Sequence, residues 1–218
     1  MIVVIAGGHG QIAQHLERLL SDAGHEPVGL VRNPDHLADL SRQGARGEVV
    51  DLEKATVDQV AAAVAGADAV VFAAGAGPGS GADRKDTVDR AAAALLADAA
   101  EDAGVARYLM VSAMGTEGAD PDSDDVFQAY LRAKAAADDD LRARGRLEWT
   151  VIRPGRLTDD EPSGRVSLGE GLEGASVARG DVAAVLAELL VTGAGAGRTV
   201  DLVSGKVAVK EAVAALGS

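Results

Sequence analysis

Cysteine is absent from the 218-residue chain, and aromatic residues make up only 2% of it. Without cysteine the protein has no disulfide, no thiolate nucleophile and no cysteine ligand for zinc or an iron–sulfur cluster. Proteins that read single-stranded nucleic acids stack bases on aromatic rings, and this chain has too few rings for such a surface. The aromatic residues are Phe72, Tyr108, Phe127, Tyr130 and Trp149.

Positive charge is also scarce. Lysine and arginine contribute 21 residues against 34 aspartates and glutamates, so the formal net charge is −13 at pH 7. A chain this acidic repels DNA, RNA and anionic membranes, so we expect neither nucleic acid nor membrane as a partner. A small phosphorylated ligand stays compatible, because a helix N-terminus and one local arginine can bind it.

Long apolar runs and metal-ligand spacings are missing as well. No uncharged apolar run reaches the length of about 18 residues that a membrane span requires. Met1 leads into a short apolar run with no basic segment, so no signal peptide is expected and the protein is predicted to be cytoplasmic. The histidines have no ligand spacing, so no metal site is predicted. We expect a monomer or weak homodimer that acts on a small molecule.

Short apolar runs alternate with longer helical patterns along the whole chain. Strands are predicted at residues 2–6, 28–31, 48–50, 69–73, 107–111, 149–153 and 199–203. Helices are predicted at residues 11–23, 34–43, 56–64, 84–103, 125–144 and 181–191, with a weaker one at 206–216. This order predicts an α/β fold, a doubly wound (Rossmann) parallel sheet of about seven strands with helices on both faces.

Three irregular segments follow predicted strand ends, at residues 75–83, 115–125 and 158–174. Doubly wound sheets bind ligands at the carboxyl edge, where these segments lie. We interpret residues 1–218 as a single domain, with a small substrate-covering segment at about 154–180.

A glycine loop directly follows the first predicted strand and opens a helix. Strand, loop, helix and a second strand within about 30 residues match the fingerprint of dinucleotide binding. Gly7 permits the tight turn, Gly10 allows a pyrophosphate to approach the backbone, and Ala13 allows close helix–strand packing. A plain strand-to-helix turn is the alternative. The predicted cofactor-binding residues of the loop are Gly7, Gly8, His9, Gly10, Gln11 and Ile12.

Arg32 stands at the end of the second predicted strand, where NAD-preferring sites place an acid about 20 residues after the loop. A guanidinium there suits a 2′-phosphate, so NADP(H) is the preferred cofactor and NAD(H) remains possible. An exposed surface arginine is the alternative. Asp51 either accepts a hydrogen bond from the adenine amine or caps the next turn. The other residues predicted to line the adenosine half are Leu52, Ala73, Ala74 and Gly75.

Tyr130 and Lys134 are spaced i, i+4, which places them on one helical face. Ser112 follows the fifth predicted strand and would face the same crevice. A cation near a phenol lowers its pKa from about 10, so Lys134 is expected to activate Tyr130 for proton transfer. Lys134 also suits the nicotinamide ribose, and the Ser112 hydroxyl suits a substrate carbonyl. In the structural alternative, Tyr130 is a half-buried helix residue and Lys134 a solvated one.

Together with Trp149-Thr150-Val151-Ile152-Arg153-Pro154-Gly155, these motifs resemble the short-chain dehydrogenase/reductase superfamily. The resemblance covers essentially the whole chain. It is strongest to the atypical NAD(P)-binding branch, which includes biliverdin/flavin-reductase-like, epimerase/dehydratase-like and nucleotide-sensing proteins. It implies a catalytic set of Ser112, Tyr130 and Lys134, and a nicotinamide pocket lined by a turn at Pro154 and Gly155.

The favoured function is an NADP(H)-dependent oxidoreductase that transfers hydride to a small carbonyl, quinone or flavin-type acceptor. Tyr130 supplies the proton, Ser112 orients the acceptor and Lys134 assists both. One alternative is a catalytically weak or inactive dinucleotide-binding sensor. Another is an epimerase or dehydratase acting on a small substrate, which is disfavoured because only 64 residues follow Pro154.

Overall fold

The computed structural model describes residues 1–77 and 79–217. Its strands are β1 (Ile2–Ala6), β2 (Glu26–Val31), β3 (Arg46–Val49), β4 (Ala69–Phe72), β5 (Arg107–Val111), β6 (Glu148–Pro154), β7 (Arg156–Thr158), β8 (Arg165–Gly169), β9 (Ser176–Ala178), β10 (Arg198–Ser204) and β11 (Val207–Ala208). Its α-helices are α1 (Gln11–Asp22), α2 (Leu37–Arg42), α3 (Val57–Val64), α4 (Ala82–Arg84), α5 (Ala92–Ala103), α6 (Val126–Arg142), α7 (Arg179–Thr192) and α8 (Val209–Ala214). Short 3₁₀ turns occur at Pro34–His36 and Thr116–Gly118, and the π-helical segment Lys85–Ala91 joins α4 to α5.

The main sheet has the strand order β11-β8-β10-β6-β5-β4-β1-β2-β3. Pairing is parallel from β10 to β3, whereas β8 is antiparallel to both of its neighbours. The strand order reverses between β1 and β4, which makes the crevice between their carboxyl ends the expected ligand site. The predicted doubly wound α/β fold is therefore confirmed, with nine strands in the sheet instead of about seven.

The sheet is apolar on both faces, which explains its near-continuous hydrophobic strands. Along β1, Val3 and Ile5 belong to the core cluster that includes buried residues of α1, α7 and α8. Val4 and Ala6 belong to the opposite cluster, with buried residues of α3, α5 and α6. Helices thus cover both faces and leave the carboxyl edge for ligand binding. No helix in residues 1–77 or 79–217 is long and apolar enough to cross a membrane.

The prediction that residues 158–174 are irregular is wrong, because β8 lies within this segment and pairs with β10. Glycines and acids flank β8 and obscure its short alternation, in which Val166 is fully buried. The predicted turn at Pro154 and Gly155 is also wrong. Pro154 ends β6, and the chain continues through Gly155 into β7, which pairs with β9 in a separate small sheet. A Cβ at position 155 would lie 1.9 Å from the Ala175 carbonyl oxygen, so only glycine fits there.

Candidate functional site

The glycine loop crosses from β1 to α1 in close contact with the loop that follows β4. Gly7 has φ +80°, and a Cβ there would lie 2.6 Å from the Ala74 Cα atom. Its carbonyl oxygen accepts a hydrogen bond from the Gly10 N–H at 2.8 Å, which closes the turn. The sequence therefore requires glycine at position 7 for two reasons, the positive φ and the contact between loops.

The first turn of α1 carries backbone donors that no side chain caps. Gly10 is the N-cap residue and supplies no cap hydrogen bond, and the first helical bond runs from the Gln14 N–H to the Gly10 oxygen at 2.9 Å. Within the described residues, the N–H groups of Gln11, Ile12 and Ala13 have no acceptor. Unpaired N–H groups at the positive end of a helix form an anion-binding site.

A cavity of about 280 Å³ extends from this loop along the ends of β2, β3 and β4. The predicted site residues that line it are Gly7, His9, Gly10, Arg32, Asp51, Leu52, Ala73, Ala74 and Gly75. Three other predicted residues lie elsewhere. Gly8 packs against Gly29 of β2, Ile12 is buried in the core, and the Gln11 side chain points to Asp159. Gln11 and Ile12 face the site through their backbone N–H groups.

Glu53 accepts hydrogen bonds from two arginines at the rim of this cavity. Its Oε2 atom accepts hydrogen bonds from Arg32 Nη1 at 3.2 Å and from Arg84 Nη2 at 3.0 Å, and its Oε1 accepts one from Thr87 at 2.8 Å. These contacts, led by the hydrogen bond from Arg84, lower the pKa of Glu53. The Arg32 side chain is 56% exposed, as the surface alternative expects, and its hydrogen bond to Glu53 places it at the rim of the cavity. Sequence reasoning missed Glu53 and Arg84, since neither belongs to a recognisable motif.

Two imidazoles complete the same rim. The rings of His9 and His36 stack with centroids 3.6 Å apart, and His9 Nε2 lies 2.7 Å from Asp39 Oδ2. That hydrogen bond is the largest cause of the lowered pKa of Asp39. His9, which belongs to the glycine loop, is thereby bonded to Asp39 of α2 and lines the same cavity as Arg32.

Asp51 adopts the capping role that was one of its two predicted alternatives. Its Oδ1 atom accepts a hydrogen bond from the Glu53 N–H at 3.1 Å, and its Oδ2 atom lies 2.9 Å from Lys54 Nζ. The hydrogen bond with Lys54 is the largest cause of its lowered pKa. The carboxylate still lines the cavity, so a contact with adenine stays a prediction.

Lys134 is buried and paired, contrary to the solvated alternative. Its Nζ atom donates a hydrogen bond to the Val111 carbonyl oxygen at 3.0 Å and lies 3.3 Å from Asp89 Oδ1. Asp89 in turn accepts a hydrogen bond from the Ala76 N–H at 3.3 Å. The ion pair thus joins α6, the π-helical segment and the loop after β4.

The prediction that Lys134 lowers the pKa of Tyr130 is wrong. Burial is the main cause that raises the Tyr130 pKa, and the carboxylates of Asp89 and Asp138 raise it further. Asp89 neutralises the ammonium that was expected to act on the phenol. The cation over the Tyr130 ring is Lys85, whose Nζ lies 5.3 Å from the ring centroid. The Tyr130 hydroxyl therefore keeps its proton at neutral pH, and the raised pKa makes it a weaker acid than an ordinary tyrosine.

Ser112 directly follows β5 and lies next to Asp138 of α6. The Ser112 hydroxyl and Asp138 Oδ1 are both buried, and neither has a well-aligned hydrogen-bond partner in the described part of the chain. Arg153 Nε donates to the other oxygen of Asp138 at 2.9 Å, and Arg153 Nη1 donates to Glu117 at 2.5 Å. Burial raises the pKa of Asp138, while Ser112 and Arg153 oppose that shift. Asp138 follows Lys134 by one helical turn, a spacing that could have revealed it.

The family described as NAD(P)H-binding matches residues 7–192 of this chain. The chain belongs to this family. It is 35% identical to the uncharacterized sugar epimerase YhfK of Bacillus subtilis, over 98% of this chain and 99% of YhfK. Among solved structures it is similar to a putative NAD-dependent epimerase/dehydratase from Bacillus halodurans, with 37% identity, TM-score 0.90 and coverage of 99% and 100% of the two chains. The oxidoreductase ylbE from Lactococcus lactis is 28% identical, with TM-score 0.86 and coverage of 99% and 96%.

Membership in the NAD(P)H-binding family agrees with the site, and the resemblance to the atypical short-chain dehydrogenase/reductase branch is confirmed. The uncapped first turn of α1 fits the dinucleotide diphosphate. The glycines at positions 7 and 10 leave the backbone accessible, and the cavity beside them fits the adenosine half. Ser112 follows β5, which lies on the far side of β4 from β1, and Tyr130 and Lys134 belong to α6. The chain thus belongs to an NAD(P)-binding, oxidoreductase- and epimerase-like family, and the geometry of this crevice is compatible with a dinucleotide.

Proposed function

We propose that the protein is an NADP(H)-dependent oxidoreductase that reduces a small carbonyl, quinone or flavin-type acceptor. The observation that carries the cofactor preference is the shared contact of Arg32 and Arg84 with Glu53 at the rim of the adenosine cavity. Guanidinium groups bind phosphate oxygens in bidentate geometry, so two of them at the cavity rim, whose two positive charges Glu53 neutralises only in part, favour a 2′-phosphate. NAD(H), which lacks that phosphate, is expected to bind more weakly.

The protein residues would prepare the acceptor, and the bound nicotinamide would supply the hydride. Burial and two carboxylates raise the pKa of Tyr130 and make it a weak acid, but the alkoxide that hydride addition leaves on a carbonyl acceptor is a stronger base than the phenolate, so Tyr130 can donate its proton to that oxygen. Lys134 acts as a positioning residue, because Asp89 and the Val111 carbonyl hold its ammonium. Ser112 is proposed to orient the acceptor through its hydroxyl, which lies beside the Asp138 carboxylate.

A dinucleotide sensor with little or no turnover is the second candidate. It is favoured by the Lys134–Asp89 pair, because a neutralised ammonium neither lowers the phenol pKa nor is free for the nicotinamide ribose. The name of the Bacillus subtilis relative adds an epimerase as a third candidate. In that case hydride would return to the same substrate and no external acceptor would be consumed.

Calorimetry and NADPH absorbance together test the proposal. NADPH is expected to bind in the micromolar range, about 8 kcal/mol, and more tightly than NADH. A screen of carbonyls, quinones and flavins should then show NADPH oxidation with at least one acceptor. Tight NADPH binding without oxidation by any acceptor would favour the sensor, and tighter NADH binding would contradict the role given to the two arginines.

A further inference from the structure

We propose that Arg179 binds the diphosphate of the dinucleotide and that Asp159 competes with the diphosphate for this arginine. The proposal rests on dinucleotide binding at the glycine loop and is independent of the hydride acceptor. Both residues lie outside the glycine loop and the cavity, in the part of the chain that follows β7. They reach the loop across the carboxyl edge of the sheet.

A single carboxylate oxygen links Arg179 to the start of α1. Asp159 Oδ1 accepts a hydrogen bond from Arg179 Nη1 at 2.7 Å and another from Gln11 Nε2 at 3.2 Å. Because both donors contact one oxygen, Arg179 Nη1 lies within about 6 Å of Gln11 Nε2, the nitrogen of the side-chain amide. Gln11 is the first residue of α1, whose unpaired N–H groups form the predicted diphosphate site. The arginine therefore lies near the N-terminal end of α1, where the diphosphate is proposed to bind.

The backbone at Arg179 is held in place, whereas its ion-pair partner Asp159 is exposed. Arg179 begins α7, and the carboxylate of Asp181 in the same turn accepts hydrogen bonds from Ser163 and Gly164 at 2.8–3.0 Å. The side chain of Arg179 is 23% exposed and that of Asp159 is 70% exposed. An ion pair with one partner so exposed contributes little stability, so a ligand can replace the aspartate at small cost.

The chemistry favours replacement of the Asp159 carboxylate by the diphosphate as the partner of Arg179. A diphosphate carries more negative charge than one carboxylate and offers several oxygens to the planar guanidinium. Asp159 places a carboxylate near the N-terminal end of α1, where it accepts a hydrogen bond from the Gln11 side chain, and its negative charge repels an incoming phosphate. The two residues of this ion pair therefore have opposite effects on cofactor affinity, which a purely structural ion pair would not produce.

Calorimetric titration of single variants with NADPH and NADH tests the proposal. Arg179→Gln should weaken both dinucleotides about 10-fold or more, and Asp159→Asn should strengthen both several-fold. Arg179→Lys keeps the charge and should retain most of the affinity. This control distinguishes the loss of charge from a folding defect as the cause of weaker binding. Thermal melts without ligand show that each variant is folded.

Adenosine 2′-phosphate, which has no diphosphate, serves as the discriminating probe, with its binding followed by ligand-detected NMR. Arg179→Gln should leave its affinity unchanged, while Arg32→Ala should weaken it. The proposal is overturned if Arg179→Gln and Asp159→Asn shift dinucleotide affinity in the same direction, if Arg179→Gln has no effect, or if it weakens adenosine 2′-phosphate equally. Failure of the oxidoreductase proposal would appear instead as absent NADPH oxidation, which these titrations do not measure.

Discussion

Lys134 Nζ and Asp89 Oδ1 lie 3.3 Å apart in the interior, where the two side chains are 4% and 0% exposed. The two residues come from different helical segments, and the ion pair fastens these segments to each other at the carboxyl edge of the sheet. Because both charges are almost completely desolvated, each depends on the other. The pair also explains why the predicted activation of Tyr130 by Lys134 does not occur.

Removing one member of this pair should destabilise the fold strongly. Asp89→Asn leaves the Lys134 ammonium buried without a counter-charge, so the free energy of unfolding should fall by about 3–5 kcal/mol. Urea denaturation measures this loss. Asp139→Asn is the matched control, because its ion pair with Arg142 is largely exposed and should contribute less than about 1 kcal/mol. Equal effects of the two variants would contradict a desolvated pair.

Arg32 should discriminate between the two cofactors. Arg32→Ala removes a charge-assisted contact to the 2′-phosphate, so NADPH affinity should fall roughly 10- to 100-fold while NADH affinity stays nearly unchanged. Calorimetry with both nucleotides measures the ratio. Arg18→Ala, which removes an exposed guanidinium that donates to Gln43, is the control and should change neither affinity. Equal losses for both nucleotides would mean that Arg32 has a structural role.

Tyr130→Phe isolates the proton transfer, because it preserves the ring and removes the hydroxyl. If Tyr130 is the acid, kcat for a carbonyl acceptor should fall about 10²–10⁴-fold, with NADPH affinity unchanged. A flavin or quinone accepts its proton from solvent, so there the loss should stay below about 10-fold. Since the Tyr130 pKa is raised, the wild-type carbonyl rate should show no alkaline decline from phenol ionisation up to about pH 10. Undiminished carbonyl turnover in the variant would exclude Tyr130 as the acid.

The fold was predictable because its signals are local. Apolar runs and helical periodicity predicted every strand from β1 to β6, and β10. The pairing of β8 with β10 was not predictable, since it depends on a distant partner and leaves only a short alternation at Arg165–Gly169. The same distinction holds at the site. The glycine loop is contiguous in sequence, whereas Asp89, Glu53 and Arg84 reach the site from separate elements. The spacing of Tyr130 and Lys134 predicted that a cation lies near the phenol, but it did not predict that the carboxylate of Asp89 neutralises this cation.

Glu17 is a buried carboxyl group directly behind the glycine loop. Both of its oxygens lack hydrogen-bond partners among residues 1–77 and 79–217, and a Cβ built at Gly29 would lie 2.5 Å from Oε1. Burial raises the pKa of Glu17 from 4.5 to about 8. The folded state therefore holds a proton that the unfolded state releases once the pH exceeds its own, lower pKa.

Stability should consequently decline with rising pH in this window. Between pH 4.5 and about 8, Glu17 should lower the free energy of unfolding by about 1.4 kcal/mol per pH unit, and the loss should level off above pH 8. Glu17→Gln removes the titration while keeping the shape. In urea denaturation from pH 5 to 9, the free energy of unfolding of the variant should therefore rise relative to that of wild type by a few kcal/mol as the pH increases. Glu26→Gln, on the exposed end of β2, is the control, and its stability should show the same pH dependence as that of wild type. A pH-independent difference between Glu17→Gln and wild type would show that the carboxyl group is already ionised in the folded protein at pH 5.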